Sequence, residues 1–238
     1  MFYETTYYSV IFINIIYVFK IVFSMKKNFL ILFTFFIGVL VLYALKVEAV
    51  LPLTGRVIVV DAGHGKEDPG TSYGDIYEKD INLSIALFLE KELGSLGAEV
   101  ILTRDGDYDL SLPDAKYRKK SDFDNRIKLI NESNADLYLS IHLNFLSDSS
   151  YYGPQVFYVN ENKNLAELIQ SSMNEELNGD RKVKKIPSDT YMYNKLKVDG
   201  VLIECGFLSN YNERNLLMTD GYQQLVAKSI AKGVVNYF

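Results

Sequence analysis

Polar and apolar positions alternate with two different periods after residue 55. Residues 56–61, RVIVVD, form a nearly continuous apolar run, the pattern of a strand buried on both faces. Residues 79–96 instead place Ile81, Ile85, Phe88, Leu89, Leu93 and Leu96 at helical spacing, with Gly97 as the stop. A second strand is expected over 99–103, a polar loop over 105–121 and a helix over 122–133 carried by Ile127 and Ile130. Further strands are expected at 137–141, ending on His142, at 155–159 and at 201–204, with a short strand possible in the mixed, basic stretch 178–198. Helices are expected at 165–177, near 213–218 and at 222–237. Strands alternating with helices predict an α/β fold of three layers, a twisted and mostly parallel sheet flanked by helices. No internal repeat, low-complexity tract or second domain interrupts residues 50–238.

The start of the chain has another character. Two apolar stretches, 7–24 and 29–45, are separated by Met25-Lys26-Lys27, and the second ends near Val47-Glu48-Ala49. A basic start, an apolar core and a small-residue exit make residues 25–49 a secretory signal cleaved after Ala49, or an uncleaved membrane anchor. Residues 1–24 then form an upstream extension, the alternative being a two-helix membrane hairpin. Either arrangement carries residues 50–238 outward across the membrane. The net charge of −5 argues against a nucleic-acid partner. A single cysteine, Cys205, excludes an internal disulfide.

Ligands of open α/β sheets bind beyond the carboxyl ends of the strands. Both histidines of the chain fall at such places: His64 just past the first strand, in DAGHGKEDPG, and His142 at the end of LYLSI. Glu204 closes the apolar run VLIE, where a buried carboxylate without a purpose is costly. Glu78 sits at the end of the loop 62–77 and can fold back over the same edge. Two imidazoles and a carboxylate form a catalytic zinc set of the His₂Glu kind, with one position left for water. The remaining carboxylate, Glu204, is then the group that moves a proton. Gly63 and Gly65 are expected to let the backbone turn sharply beside the metal, and Asp61 to steady an imidazole or a loop amide. A lone Glu before a helix often only complements the helix dipole, which leaves Glu78 the weakest of the four on pattern alone. Cys205 is expected to be a small buried residue, because no third histidine exists to activate it.

These residues resemble the zinc-dependent N-acetylmuramoyl-L-alanine amidases of the third type, from Arg56 to the C-terminus. The motifs in order are DAGHGKEDPG, with Ala62 replacing the usual proline; Glu78-Lys79-Asp80-Ile81-Asn82-Leu83; Thr103-Arg104; Asn125-Arg126; Ser140-Ile141-His142-Leu143-Asn144; and Glu204-Cys205-Gly206-Phe207-Leu208-Ser209-Asn210. The resemblance implies a zinc-exopeptidase-like fold, zinc ligands at His64, Glu78 and His142, and a catalytic carboxylate at Glu204. It gives Asn144 and Arg126 roles in binding substrate or supporting the ligands. The implied reaction hydrolyses the amide between the lactyl group of N-acetylmuramic acid and L-alanine in peptidoglycan.

The basic stretch Tyr117-Arg118-Lys119-Lys120-Ser121-Asp122 and the phrase 135–144 are similar to the spore-cortex, germination-specific amidases. That likeness implies action in the forespore intermembrane space of a spore former, as a first step toward muramic-δ-lactam that a separate deacetylase completes. Residues 144–155 and 180–200 are too short to hold an inserted inhibitory helix, so control is expected to come from compartment, timing or an accessory activator protein. The rival readings are a zinc carboxypeptidase of wall peptides, which needs a cation such as Arg104 or Arg126 for a terminal carboxylate, and a non-enzymatic wall-binding domain.

Overall fold

The computed structural model describes residues 29, 32–38, 50–159, 161–187 and 189–238. Two compact units divide the chain, Met1–Val50 and Leu51–Phe238. In the first, residues 32–38 are helical and exposed. No helix among the described residues is long and apolar enough to cross a membrane, and most of the expected leader lies outside them.

In the second unit a six-stranded sheet forms the centre. Its strands are β1 (Val57–Ala62), β4 (Glu99–Leu102), β5 (Leu137–Asn144), β6 (Gln155–Tyr158), β7 (Lys184–Lys185) and β8 (Gly200–Phe207), in the order β4-β1-β5-β8-β6-β7. β4, β1, β5 and β8 run parallel, while β6 pairs antiparallel to β8 and carries β7 along its edge. The helices are α1 (Glu78–Ser95), α2 (Arg118–Glu132), α3 (Lys163–Leu177), α4 (Tyr211–Leu217) and α5 (Asp220–Tyr237). A small hairpin, β2 (Ser72–Tyr73) with β3 (Ile76–Tyr77), lies in the segment expected to be a plain loop. Two-residue strands are too short to show a period, which explains the miss.

The two faces of the sheet are covered unequally. Alternate β1 residues Ile58, Val60 and Ala62 join Leu139, Ile141, Val201 and Ile203 in the larger apolar core, with Ile85, Leu89 and Leu93 of α1, Ile169 of α3 and Ile230 of α5. On the opposite face Val59 and Tyr138 pack with Ile130 of α2 and with Met192 and Tyr193, which lead into a 3₁₀ turn at Tyr193–Lys195. Both faces of β1 are therefore dry, and its apolar run is continuous for that reason.

Several boundaries differ from the expected ones. β5 extends to Asn144 and β8 to Phe207, so His142 and Glu204 stand inside their strands rather than at the ends. The polar residue ended the apolar run without ending the hydrogen-bonded ladder, which continues to Asn144 opposite Phe207 after a register shift. α2 begins at Arg118, four residues before its expected start at Asp122.

Candidate metal centre

Past β1 the Gly63 amide still donates to Ile141 O, at 3.0 Å, so the chain stays in register with β5 until it turns. The turn falls at His64, which has a left-handed φ of +64°, and at Gly65. Gly63 itself is not left-handed; its need for glycine is space. A Cβ there would stand 2.3 Å from Cε1 and Nε2 of His142. At Gly70 a Cβ would meet Glu78 Oε2 at 2.5 Å and His64 Cδ2 at 2.7 Å. Two glycines thus bring backbone close against the side chains of His142, Glu78 and His64.

Glu78 is the first residue of α1 and is buried. Its Oε2 accepts the Thr71 amide at 2.8 Å, and its Oε1 accepts the Leu143 amide at 3.0 Å and Asn82 Nδ2 at 3.2 Å. His64 Nε2 lies 3.2 Å and His142 Nδ1 3.0 Å from the same Oε1. The ligand atoms of His64, Glu78 and His142 all fall within 4.8 Å of one another. Burial alone would push the Glu78 carboxyl up; the hydrogen bonds from His142 and His64 overcome it and hold the group well below the usual carboxylate range. Burial likewise works against the His64 imidazolium, but Asp68 and Glu78 outweigh it and raise its pKa to about 9. That proton competes with any cation at the cluster.

Glu204 is the register partner of His142 on the neighbouring strand, so the two side chains leave the sheet on the same face. Its Oε2 is buried without a hydrogen-bond partner. Burial, with the nearby Glu78 charge, raises its pKa to about 8, against the opposing pull of His64. An orphaned carboxylate oxygen beside two imidazoles and a second carboxylate marks a site built for a group that brings positive charge. The donor set of two ring nitrogens and one carboxylate oxygen could hold a divalent metal ion while leaving a position open.

Beneath this cluster lies a buried polar network. Arg126 Nη1 donates to Asp61 at 2.6 Å and to Ala62 O at 2.8 Å, its Nε to Asp122 at 2.9 Å and its Nη2 to His64 O at 2.7 Å. Asp61 also accepts from Thr103 and Ser140, and the Ser140 hydroxyl lies 3.2 Å from Tyr193 Oη. Burial opposes the Asp61 charge, but Arg126 and Ser140 keep its pKa lowered.

Arg126 is 1% exposed; of the two roles expected of it, binding substrate or supporting the ligands, its bond to the His64 carbonyl fits the second, since it braces the backbone of the His64 turn. Arg104, equally buried, donates to the carbonyls of Ala62, Gly63, Lys79 and Gly106. Neither arginine is available to hold a substrate carboxylate. Asn144 ends β5 and turns its Oδ1 to the Phe145 amide at 2.9 Å. Cys205 is fully buried in the larger core. Pattern reading missed Asp68, whose Oδ2 lies 3.0 Å from His64 Nδ1, and Asn82. The i, i+4 spacing from His64 to Asp68 was the available signal.

A cavity of about 220 Å³ opens on the cluster, lined by Gly63, His64 and His142 together with Phe123, Tyr191 and Leu202. Among the described residues, 145–154 hold no helix, and 186–199 hold one 3₁₀ turn.

Residues 58–236 match the family model for N-acetylmuramoyl-L-alanine amidases. The chain is 44% identical over 195 residues to the germination-specific N-acetylmuramoyl-L-alanine amidase of Bacillus subtilis, spanning 79% of this chain and 82% of that one. It superposes on the CwlD amidase from Clostridioides difficile, solved in complex with the GerS lipoprotein, with a TM-score of 0.73 and 38% identity, covering 77% of this chain and 98% of that one. The catalytic domain of CwlV, an amidase from Bacillus (Paenibacillus) polymyxa var. colistinus, matches with a TM-score of 0.67 and 29% identity over 76% of this chain and 97% of its own. Parallel strands set side by side, with His142 and Glu204 on the face of the sheet that α2 covers, agree with that likeness: the chain belongs to the N-acetylmuramoyl-L-alanine amidase family.

Proposed function

We propose that this amidase is zinc-dependent, that His64, Glu78 and His142 hold the metal and that Glu204 moves the proton. The observation that carries the reading is the convergence of those three ligand atoms with Glu204 placed opposite His142 across β5 and β8. When bound, zinc polarises a carbonyl and lowers the pKa of water to about 7. Positive charge at the cluster also draws Glu204 down from about 8 toward its carboxylate form. As carboxylate, Glu204 accepts a proton from the attacking water at a side-chain oxygen. It then delivers that proton to the leaving nitrogen as the amide carbon–nitrogen bond breaks. One water is consumed, and a lactyl carboxyl and the amino terminus of L-alanine are released.

The substrate is the bond between N-acetylmuramic acid and L-alanine in peptidoglycan, in the spore cortex, where its cleavage leads toward muramic-δ-lactam. The germination-specific amidase of B. subtilis, 44% identical, supports that placement. Residues 50–238 form the catalytic domain, and residues 25–49 deliver it to the outer face of the membrane, in the forespore intermembrane space. An accessory protein assists it, a reading supported by the GerS lipoprotein found with the C. difficile CwlD amidase. The carboxypeptidase reading loses the two cations named for it, because Arg104 and Arg126 are both spent inside the fold.

The test uses residues 50–238 with zinc on peptidoglycan from a sporulating firmicute, with a chelated sample and Glu204→Ala alongside, and mass spectrometry of the products. Free stem peptides beginning with L-alanine, absent from both controls, are expected. Cuts within the stem peptide would favour the carboxypeptidase instead.

A further inference from the structure

His64 stands at the turn that follows β1. It adopts a left-handed backbone conformation that a non-glycine residue keeps only when its surroundings over-determine it. The surroundings here are unusually complete. Gly65 and Asp68 exchange both backbone hydrogen bonds, each at 3.0 Å, which closes a tight turn directly after His64. That turn swings the Asp68 carboxylate back onto the ring four residues earlier, with Oδ2 3.0 Å from Nδ1. Asp68 Oδ1 accepts the Gly70 amide at 3.2 Å, so the carboxylate cannot rotate without losing a second bond. Lys119, from the basic stretch at the start of α2, places its ammonium 3.2 Å from the same Oδ2. The helix that grips the His64 carbonyl through Arg126 therefore also reaches its ring, through Lys119 and Asp68.

An imidazole can coordinate through Nε2 only if the proton sits on Nδ1 or has left the ring. A carboxylate accepting from Nδ1–H fixes that tautomer and the ring plane together. We propose that Asp68, itself held by Lys119, is the positioning residue of the site, locking His64 with Nδ1 protonated and Nε2 turned to the metal. The proposal rests on the reading of His64 as a ligand. It gives the basic stretch at the start of α2 a task that no other part of the mechanism uses: its second cation is a support for the metal site at one remove. Lys119 is 62% exposed, so its removal leaves no buried void.

The test uses the full chain and two readouts. Zinc affinity is measured by competition with a chromophoric chelator for wild type, Asp68→Ala, Lys119→Met and Lys119→Arg. Loss of a carboxylate behind a ligand histidine lowers metal affinity roughly 10- to 100-fold, and that is the fall expected for Asp68→Ala. Lys119→Met keeps the aliphatic stem and is expected to lose a few-fold, with Lys119→Arg restoring it. The second readout needs no metal: the ¹⁵N spectrum of the His64 ring in chelated protein at high pH. Wild type is expected to show the proton on Nδ1, and Asp68→Ala to shift it toward Nε2. Unfolding midpoints within a few degrees of wild type establish that the variants fold. Asp68→Ala with unchanged affinity and an unchanged ring tautomer would overturn the proposal. Should wild type bind no zinc, the metal reading falls, and the tautomer comparison still decides the role of Asp68.

Discussion

Adding one methyl group at Gly63 should disable the metal site while leaving the fold standing. The Cβ of Gly63→Ala would lie 2.3 Å from two atoms of the His142 ring and 2.8 Å from a third. Ordinary van der Waals contact needs about 1 Å more, so the ring must retreat by that amount. The backbone is poorly placed to yield, because the Gly63 amide bonds Ile141 O while Asn82 and Arg104 both hold its carbonyl. Metal–ligand distances tolerate about 0.2 Å, and a 1 Å misplacement near reacting atoms costs on the order of 10²-fold. Zinc affinity and kcat/KM should therefore each fall about 100-fold or more, roughly 2.7 kcal/mol. Overpacking should cost folding about 1–3 kcal/mol. Two companions separate steric from backbone effects. Gly70→Ala meets Glu78 and His64 and also has φ +70°, so it should combine both losses. Gly74→Ala has φ +60° with nothing within 4 Å, so it should lose about 1 kcal/mol of stability and no zinc affinity. The assay pairs chelator competition with urea unfolding. Gly63→Ala binding zinc within about threefold of wild type and keeping its rate would refute the steric argument.

Three more outcomes follow from the same geometry. Glu204→Gln should retain one zinc per chain and lose about 10²–10⁴ in kcat, measured on muramoyl-peptide release; normal turnover would remove Glu204 from the mechanism. Arg126→Met leaves Asp61 and Asp122 as buried charges without their partner and should cost about 3–5 kcal/mol in urea unfolding, whereas a loss under 1 kcal/mol would contradict the buried network. The third concerns pH in chelated protein. His64 has its pKa raised from 6.5 to about 9, so its contribution is fully present below 6.5 and is lost as pH rises through 9. Glu204, raised from 4.5 to about 8, acts in the same direction, since ionising it costs stability. Metal-free protein should therefore weaken by a few kcal/mol between pH 6.5 and 9, while zinc affinity rises over the same interval as the His64 proton leaves. A flat stability profile in that window would show that the imidazole is not held by its carboxylate partners.

Much of the candidate site was legible because metal ligands are polar residues that interrupt apolar runs. His64, His142 and Glu204 each stand where such a run stops, and the parallel βα pattern brings those stops together. The same signal misplaced the strand ends. A polar side chain on one face ends the apolar run but not the backbone ladder, so β5 and β8 continue three residues farther than their hydrophobic patterns. Glu78 was the weakest of the four by pattern because its environment is made by atoms distant in sequence: the Thr71 and Leu143 amides, Asn82 and the two histidines. Arg126 was legible as a position but not as a role. Nothing along the chain tells a guanidinium facing solvent from one closed in by Asp61, Asp122 and two carbonyls.

The unequal covering of the sheet explains why chemistry and stability occupy different faces. The face under α1, α3 and α5 is apolar along the full length of its central strands, from Ile58 to Ala62 and from Leu137 to Leu143. The face under α2 is apolar only at its start, where Val59 and Tyr138 meet Ile130. One step farther along, Asp61 and Ser140 replace them, and one step beyond that stand His142 and Glu204. A sheet face that turns polar toward its carboxyl ends cannot be closed by more hydrophobic packing. α2 meets it with charge instead, sending Arg126 down to Asp61 and up to the His64 carbonyl. The buried arginine is therefore the join between the two halves of that face. Toward the amino ends it helps to close the core, and toward the carboxyl ends it fixes the turn that carries His64. Burying the Asp61 carboxylate without it would cost several kcal/mol, so the fold and the site depend on the same guanidinium for different reasons.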